Sequence, residues 1–250
     1  MTSERLVFVD LETAESSGVW SVIQVAAVAV SNRLRELGCF EAKVRTTNPV
    51  HHAQHDPAVW EREAQPTLAI AERFGAFLRE HATQEVIPRR GRSYRVAQIV
   101  AHNAEFDGAM LKAWFRQCEM FFPGHFRMLC TVQRAGWLFR ENGRLTPPGD
   151  YKLGTLCQYF GVPYRPEEAH DALYDARATV ELYRALSAVS ASPESGRSGR
   201  ARRSGGTDRT ADRRATGVGD TPLVWSSGHD PKPMPRMRSA RFRGATARRP

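Results

Sequence analysis

Three strand-like segments near the N-terminus constrain the fold of this chain more than any other feature. Leu6-Val7-Phe8-Val9 is rich in strand formers and suits a buried central strand. Val22-Ile23-Gln24-Val25-Ala26-Ala27-Val28-Ala29-Val30 reads as a second strand. Residues 39–46 alternate well enough for a third, with Asn32 and Gly38 flanking the connection. Together they predict an antiparallel meander. Beyond it the pattern changes to alternating helices and strands. Residues 67–81 carry Leu68, Ala71, Phe74, Phe77 and Leu78 at the spacing of an amphipathic helix, and 98–101 form a short strand. A second helix is expected over 106–121, on Met110, Leu111, Trp114 and Phe115, then a last strand over 128–130 and a helix over 132–139. A short helix over 152–160, with Leu153, Leu156 and Tyr159/Phe160 inward, is stopped by Gly161 and Pro163. The final helix covers 172–186 on Leu173, Ala176, Val180, Tyr183 and Leu186. The result is an α/β chain, a mixed sheet flanked by helices. Residues 49–65 mix proline, histidine and acids and read as an irregular loop with one helical turn near Trp60.

On this scaffold five ionisable residues stand out: Asp10 and Glu12, Asp107, and His170 with Asp175. Asp10 and Glu12 are two apart in a strand, so they share a face with Phe8 and close the strand beside solvent. Asp107 follows His102-Asn103-Ala104-Glu105-Phe106, where a strand turns into a helix. His170 lies just before the last helix and Asp175 one turn into it. Each has an ordinary reading alone. The strand-end acids could begin a solvated loop, Asn103 or Glu105 could cap a helix, and Asp107 could be a first-turn acid favoured by the helix dipole. Asp171 could likewise be a helix-start acid beside a surface His170. In conjunction they fall at strand ends and helix starts, where α/β sheets concentrate their sites. Clustered acids repel and raise one another's pKa. Hard divalent cations such as Mg²⁺ and Mn²⁺ take carboxylate oxygens and resolve that conflict. Two such ions about 3.5–4 Å apart suit in-line attack on a phosphodiester. The chain reads as a metal-dependent nuclease.

The segments around these residues resemble the three motifs of the DEDDh family of 3′→5′ exonucleases. The pattern Asp-x-Glu, Asn-x-x-Phe-Asp and His-x-x-x-x-Asp is present as Asp10/Glu12, Asn103/Phe106/Asp107 and His170/Asp175. His102 and Tyr151-Lys152-Leu153-Gly154-Thr155-Leu156 also look like the family, and the resemblance spans about residues 5–188. It implies a ribonuclease-H-like fold and two divalent ions, Mg²⁺ or Mn²⁺, held by Asp10, Glu12, Asp107 and Asp175. It implies His170 as general base, a task that suits imidazole. It also implies that Leu11, Thr13, Asn103 and Phe106 seat the terminal nucleotide, apolar groups against the base and polar groups against sugar and phosphate. The expected substrate is the 3′ end of a single-stranded nucleic acid. The loop His51-His52-Ala53-Gln54-His55-Asp56 departs from the family, and its histidines match no standard zinc spacing. Trp60 there is either a base-stacking platform or a lid packed on the core.

Charge divides the chain. Residues 189–250 hold 14 Lys+Arg against 5 acids, and so carry the whole formal excess of +9. That segment is nearly free of core-forming residues and is expected to be a disordered basic tail behind a domain of residues 1–188. An Arg-rich tail contacts nucleic acid or other polyanions, or is a by-product of G+C-rich coding; both readings stand. Cys39, Cys118, Cys130 and Cys157 form no Cys-x-x-Cys pair, so neither a zinc site nor a disulfide framework is indicated. Charged Glu4 and Arg5 lead straight into a strand and no run approaches 18 apolar residues, so neither signal peptide nor membrane-spanning helix is expected, and the setting is cytoplasmic.

Single-stranded DNA is the leading substrate, for proofreading or repair, with an exoribonuclease of the ribonuclease T or oligoribonuclease type as the alternative. From another class comes a non-catalytic nucleic-acid-binding or polymerase-associated module, with a DNA polymerase as partner. The repulsive acid cluster argues against it, since a pure binder gains nothing from one. An aspartyl-phosphate phosphatase would want Asp-x-Asp in place of Asp10-Leu11-Glu12.

Overall fold

The computed structural model of the chain describes residues 4–16, 18–46 and 57–191. The three segments form β1 (Arg5–Ser16), β2 (Val19–Ser31) and β3 (Glu36–Arg45), an antiparallel meander. There follow α1 (Pro57–Glu63), β4 (Gln65–Pro66), α2 (Thr67–Glu80), the hairpin strands β5 (Gln84–Val86) and β6 (Tyr94–Val96), and β7 (Gln98–Ala101). The remaining elements are α3 (Ala104–Gln117), β8 (Leu129–Cys130), α4 (Thr131–Glu141), α5 (Leu153–Tyr159) and α6 (Ala172–Ala191). The main sheet runs β4-β3-β2-β1-β7-β8, with β7 parallel to β1 and β8 parallel to β7. This is the ribonuclease-H-like mixed sheet with flanking helices. Among the described residues no helix is long and apolar enough to cross a membrane.

Both faces of the sheet are covered, which explains the continuous apolar run of β2: residues 22–30 are all buried. Side chains alternate along β1. Val7, Val9 and Leu11 enter a core built with Ile70, Phe74 and Leu78 of α2 and Leu111, Trp114 and Phe115 of α3. Leu6 and Phe8 point to the other face, against Ala176 and Val180 of α6, and Phe8 meets Tyr183 edge-on at 5.5 Å. By the same alternation Asp10 and Glu12 belong to the face that α6 covers. Each fully buried apolar side chain contributes roughly 1.5–3 kcal/mol, so α6 is a fixed platform. A third cluster joins Leu153, Leu156 and Cys157 of α5 to Ala135, Leu138 and Phe139 of α4 and Leu182 and Leu186 of α6.

Several expectations are corrected. The acid pair does not end its strand, because β1 continues to Ser16. It borders solvent for another reason: β7 pairs with β1 only as far as Phe8↔Val100, so the strand loses its neighbour on that side. Part of the expected loop is a helix, α1, and Trp60 on it is 5% exposed against Ile23 and Ala64. Burial rules out a base-stacking platform there and supports packing on the core; His51, His52 and His55 lie outside the described residues. Leu68 is exposed, the inner face of α2 being Ile70, Ala71, Phe74 and Leu78. α3 begins at Ala104 and stops at Gln117. The hairpin β5–β6 was not expected, since Gln84, Glu85 and Arg95 lack an apolar alternation. Residues 192–250, most of the expected tail, are also outside the described residues.

Candidate active site

Three elements meet at the open side of β1: the strand itself and the starts of α3 and α6. Asp10 and Glu12 come from the middle of β1, where the strand has a bulge between Glu12 and Thr13. Asp107 comes from the first turn of α3. The turn into α3 is made by Asn103 with φ 67°, a left-handed conformation that Asn tolerates, and its side chain makes no capping bond. Gly108 lets α3 approach the sheet, since a Cβ there would lie 2.8 Å from Met128 Sδ. Asp175 comes from the first turn of α6. Asp171 Oδ1 accepts the Tyr174 N–H at 2.8 Å, the bond of a helix-starting acid. His170 has φ 66° and donates its backbone N–H to Asp175 Oδ2 at 3.0 Å.

The structure brings Glu12, His170 and Asp175 into one close group, and Asp10 and Asp107 are within electrostatic reach of it. His170 Nδ1 is 3.9 Å from Glu12 Oε1, and donor atoms of Glu12, His170 and Asp175 lie within 4.8 Å of one another. Glu12, Asp107 and Asp175 are buried while His170 is exposed. Asp10 keeps some exposed surface, but its carboxyl is pushed well above the usual range by burial, then by Asp107, Asp175, Glu12 and Asp171. Burial, with Asp175 and Asp171, pushes Glu12 up to about 8. Burial likewise pushes Asp107 up to about 8, against hydrogen bonds from its own and the Leu11 backbone amides. Burial raises Asp175 too, opposed by hydrogen bonds from His170 and Tyr164. A recessed set of acids that raise one another's pKa is poorly stable when ionised and well matched to hard divalent cations. The residues fit the metal ions that the sequence implies.

The residues expected to seat a nucleotide divide by exposure. Phe106 is 38% exposed and Asn103 is exposed. Leu11 is core, offering its backbone amide to Asp107, and Thr13 is half-buried beyond the bulge. Sequence reasoning missed Trp20, whose ring meets Phe106 edge-on at 6.1 Å from the start of β2. An aromatic next to a hairpin turn was its only signal. It also missed Tyr164, whose hydroxyl donates to Asp175 Oδ1 at 3.0 Å. His102 proves structural. Nε2 faces the Tyr151 carbonyl at 2.9 Å and so carries the proton, leaving Nδ1 to accept the Thr131 hydroxyl at 2.8 Å. Burial holds its pKa down at about 4, so it stays neutral.

A ribonuclease-H-like sheet with recessed acids on its central strand, and acids brought to them by two helix starts, defines a metal-dependent phosphodiester hydrolase. The family described as Exonuclease matches residues 7–183. Ribonuclease T of Vibrio cholerae serotype O1 is 28% identical over 191 residues, covering 71% of this chain and 79% of that protein. Ribonuclease T of Actinobacillus pleuropneumoniae serotype 5b is 35% identical over 94 residues, covering 36% of this chain and 38% of that one. A zinc-bound E. coli exonuclease I–single-stranded DNA complex has a TM-score of 0.57 at 17% identity, covering 77% of this chain and 42% of that chain. The chain thus spans under half the length of exonuclease I, and the likeness there is one of fold. The chain belongs to the exonuclease family, and is a 3′→5′ exonuclease of the DEDD type. Dependence on a divalent metal comes with that membership.

Proposed function

We propose that the chain removes nucleoside 5′-monophosphates one at a time from the 3′ end of single-stranded nucleic acid. The observation that carries the reading is the convergence of Asp10, Glu12, Asp107 and Asp175 beside His170. The four carboxylates would hold two divalent ions, Mg²⁺ or Mn²⁺, Asp10 feeling the charges of Asp107, Asp175 and Glu12 alike. When bound, the ions supply positive charge to the phosphate and to the attacking and leaving oxygens. His170 takes a proton from the attacking water. The new P–O bond forms as the bond to the 3′ oxygen breaks, leaving a 5′-monophosphate and a strand ending in a 3′ hydroxyl. The exposed Phe106, with the half-buried Trp20 edge-on to it, forms an aromatic wall beside Asp107 against which the terminal base can rest.

Single-stranded DNA is the first reading of the substrate, in proofreading or repair. An exoribonuclease is the second, favoured by the relatives named ribonuclease T. Matched 5′-labelled DNA and RNA oligonucleotides with Mg²⁺ or Mn²⁺ test both: a 3′-shortening ladder is expected, faster on DNA. A faster RNA ladder selects the second reading, and no ladder on either defeats both. The catalytic domain is assigned to residues 1–188. A DNA polymerase is the protein partner this reading suggests, and the setting is cytoplasmic, in keeping with four free cysteines.

A further inference from the structure

We propose that Tyr164 is a positioning residue of the active site: its hydroxyl holds the Asp175 carboxylate in the orientation of a ligand, and Gly154 is the notch that lets the ring reach it. The inference rests on the site reading above and adds two residues to it. Asp175 receives two hydrogen bonds, one on each oxygen. Tyr164 OH donates to Oδ1 and the His170 backbone N–H donates to Oδ2, both at 3.0 Å. Two donors at opposite oxygens fix the carboxylate plane, which the single bond from the neighbouring turn would leave free to swing. A carboxylate has about four acceptor sites, so lone pairs remain for a cation. Outer hydrogen bonds of this kind orient ligands at metal centres.

The phenol is itself held. Tyr164 leaves the chain just after α5, packs against the α4–α5–α6 cluster, and has the Tyr174 ring at 5.4 Å. Gly154 also lies against it, where a Cβ would lie 2.9 Å from Tyr164 Cε1 and 3.1 Å from Cδ1. A ring this closely packed has little room to retreat. Gly154 belongs to Tyr151-Lys152-Leu153-Gly154-Thr155-Leu156, a segment without a role in the chemistry so far. Its carbonyl at Tyr151 locks His102, and its glycine admits Tyr164.

The test titrates Mn²⁺ calorimetrically into the full chain and into Tyr164→Phe, Gly154→Ala and Asp175→Ala, with thermal melting alongside. Tyr164→Phe keeps the ring and loses only the hydroxyl, and is expected to bind Mn²⁺ about 10–100-fold more weakly. Its turnover should recover as Mn²⁺ is raised, while KM for the strand stays unchanged. Gly154→Ala should show the same weakened Mn²⁺ binding although the hydroxyl is still present. Wild-type Mn²⁺ affinity in Tyr164→Phe, with Asp175→Ala losing it, overturns the role of Tyr164 and leaves the site reading standing. Unchanged affinity in Asp175→Ala removes the site reading itself, and Tyr164's role with it.

Discussion

On the proposed reading Asp10, Glu12, Asp107 and Asp175 would each supply carboxylate oxygens to one metal site, so replacing any of them by alanine would remove a ligand while easing repulsion among the rest. Each substitution should slow hydrolysis on the order of 100-fold or more, about 3 kcal/mol of transition-state stabilisation, and leave the melting temperature no lower. A variant that keeps over a tenth of the wild-type rate does not belong to the site. His170 is a different case, since it is exposed and its ring nitrogen faces Glu12 at 3.9 Å. His170→Ala should cost about 10²–10⁴-fold in rate through loss of the general base, with Mn²⁺ affinity retained. A large drop in calorimetric Mn²⁺ affinity would instead make it a ligand. The acids also predict a pH dependence of stability. Glu12 rises from 4.5 to about 8 and Asp107 from 3.8 to about 8, so without ions the folded chain binds these protons more tightly than the unfolded one. Their contribution is full below the unfolded values and is lost as pH rises through about 8, on the order of a few kcal/mol. In EDTA the melting temperature should fall across that interval, and Glu12→Gln should flatten the fall. A flat wild-type curve would mean the acids are less confined than their burial indicates. Motif spacing exposed these five residues. It could not reveal Tyr164, because a tyrosine in a loop carries no mark until the fold sets its hydroxyl on Asp175.

At the scale of elements, the strands and long helices were legible because their apolar periods are strong and both sheet faces are covered. What periodicity missed is what depends on neighbours. β1 runs through its acid pair because the β1–β2 hairpin supplies hydrogen bonds that an apolar pattern does not announce. α1 is a short helix whose one large apolar side chain, Trp60, is placed by contact with Ile23 and Ala64. Trp60→Ala should therefore act on stability, lowering it by about 3–5 kcal/mol as for other buried aromatics. The ratio of DNA to RNA cleavage should not change. If that ratio moved with stability intact, Trp60 would return to the substrate surface.

Across the whole molecule, the net positive charge lies in a stretch of sequence beyond the strands described above. Residues 189–250 carry the entire +9, and we expect them to tune affinity for a polyanion while residues 1–188 do the chemistry. If the segment neutralises about five phosphates of a single strand, the slope of log affinity against log salt should steepen by roughly 3.5. A chain ending at Ala191 should keep its turnover at saturating strand, bind more weakly at low salt and match the full chain at high salt. Identical slopes would make the Arg-rich segment a compositional by-product. Loss of turnover would show that the catalytic unit reaches further. The residue order alone determined the class of the fold, the segregation of charge and the identity of the acids, because periodicity, composition and motif spacing are local properties of a chain. Only the tertiary structure decided which acids share a recess, that His102 is a neutral clasp, that Trp60 is core, and that Tyr164 and Gly154 back Asp175. Those outcomes depend on burial and on contacts between distant segments, which exist only once helix and sheet have packed.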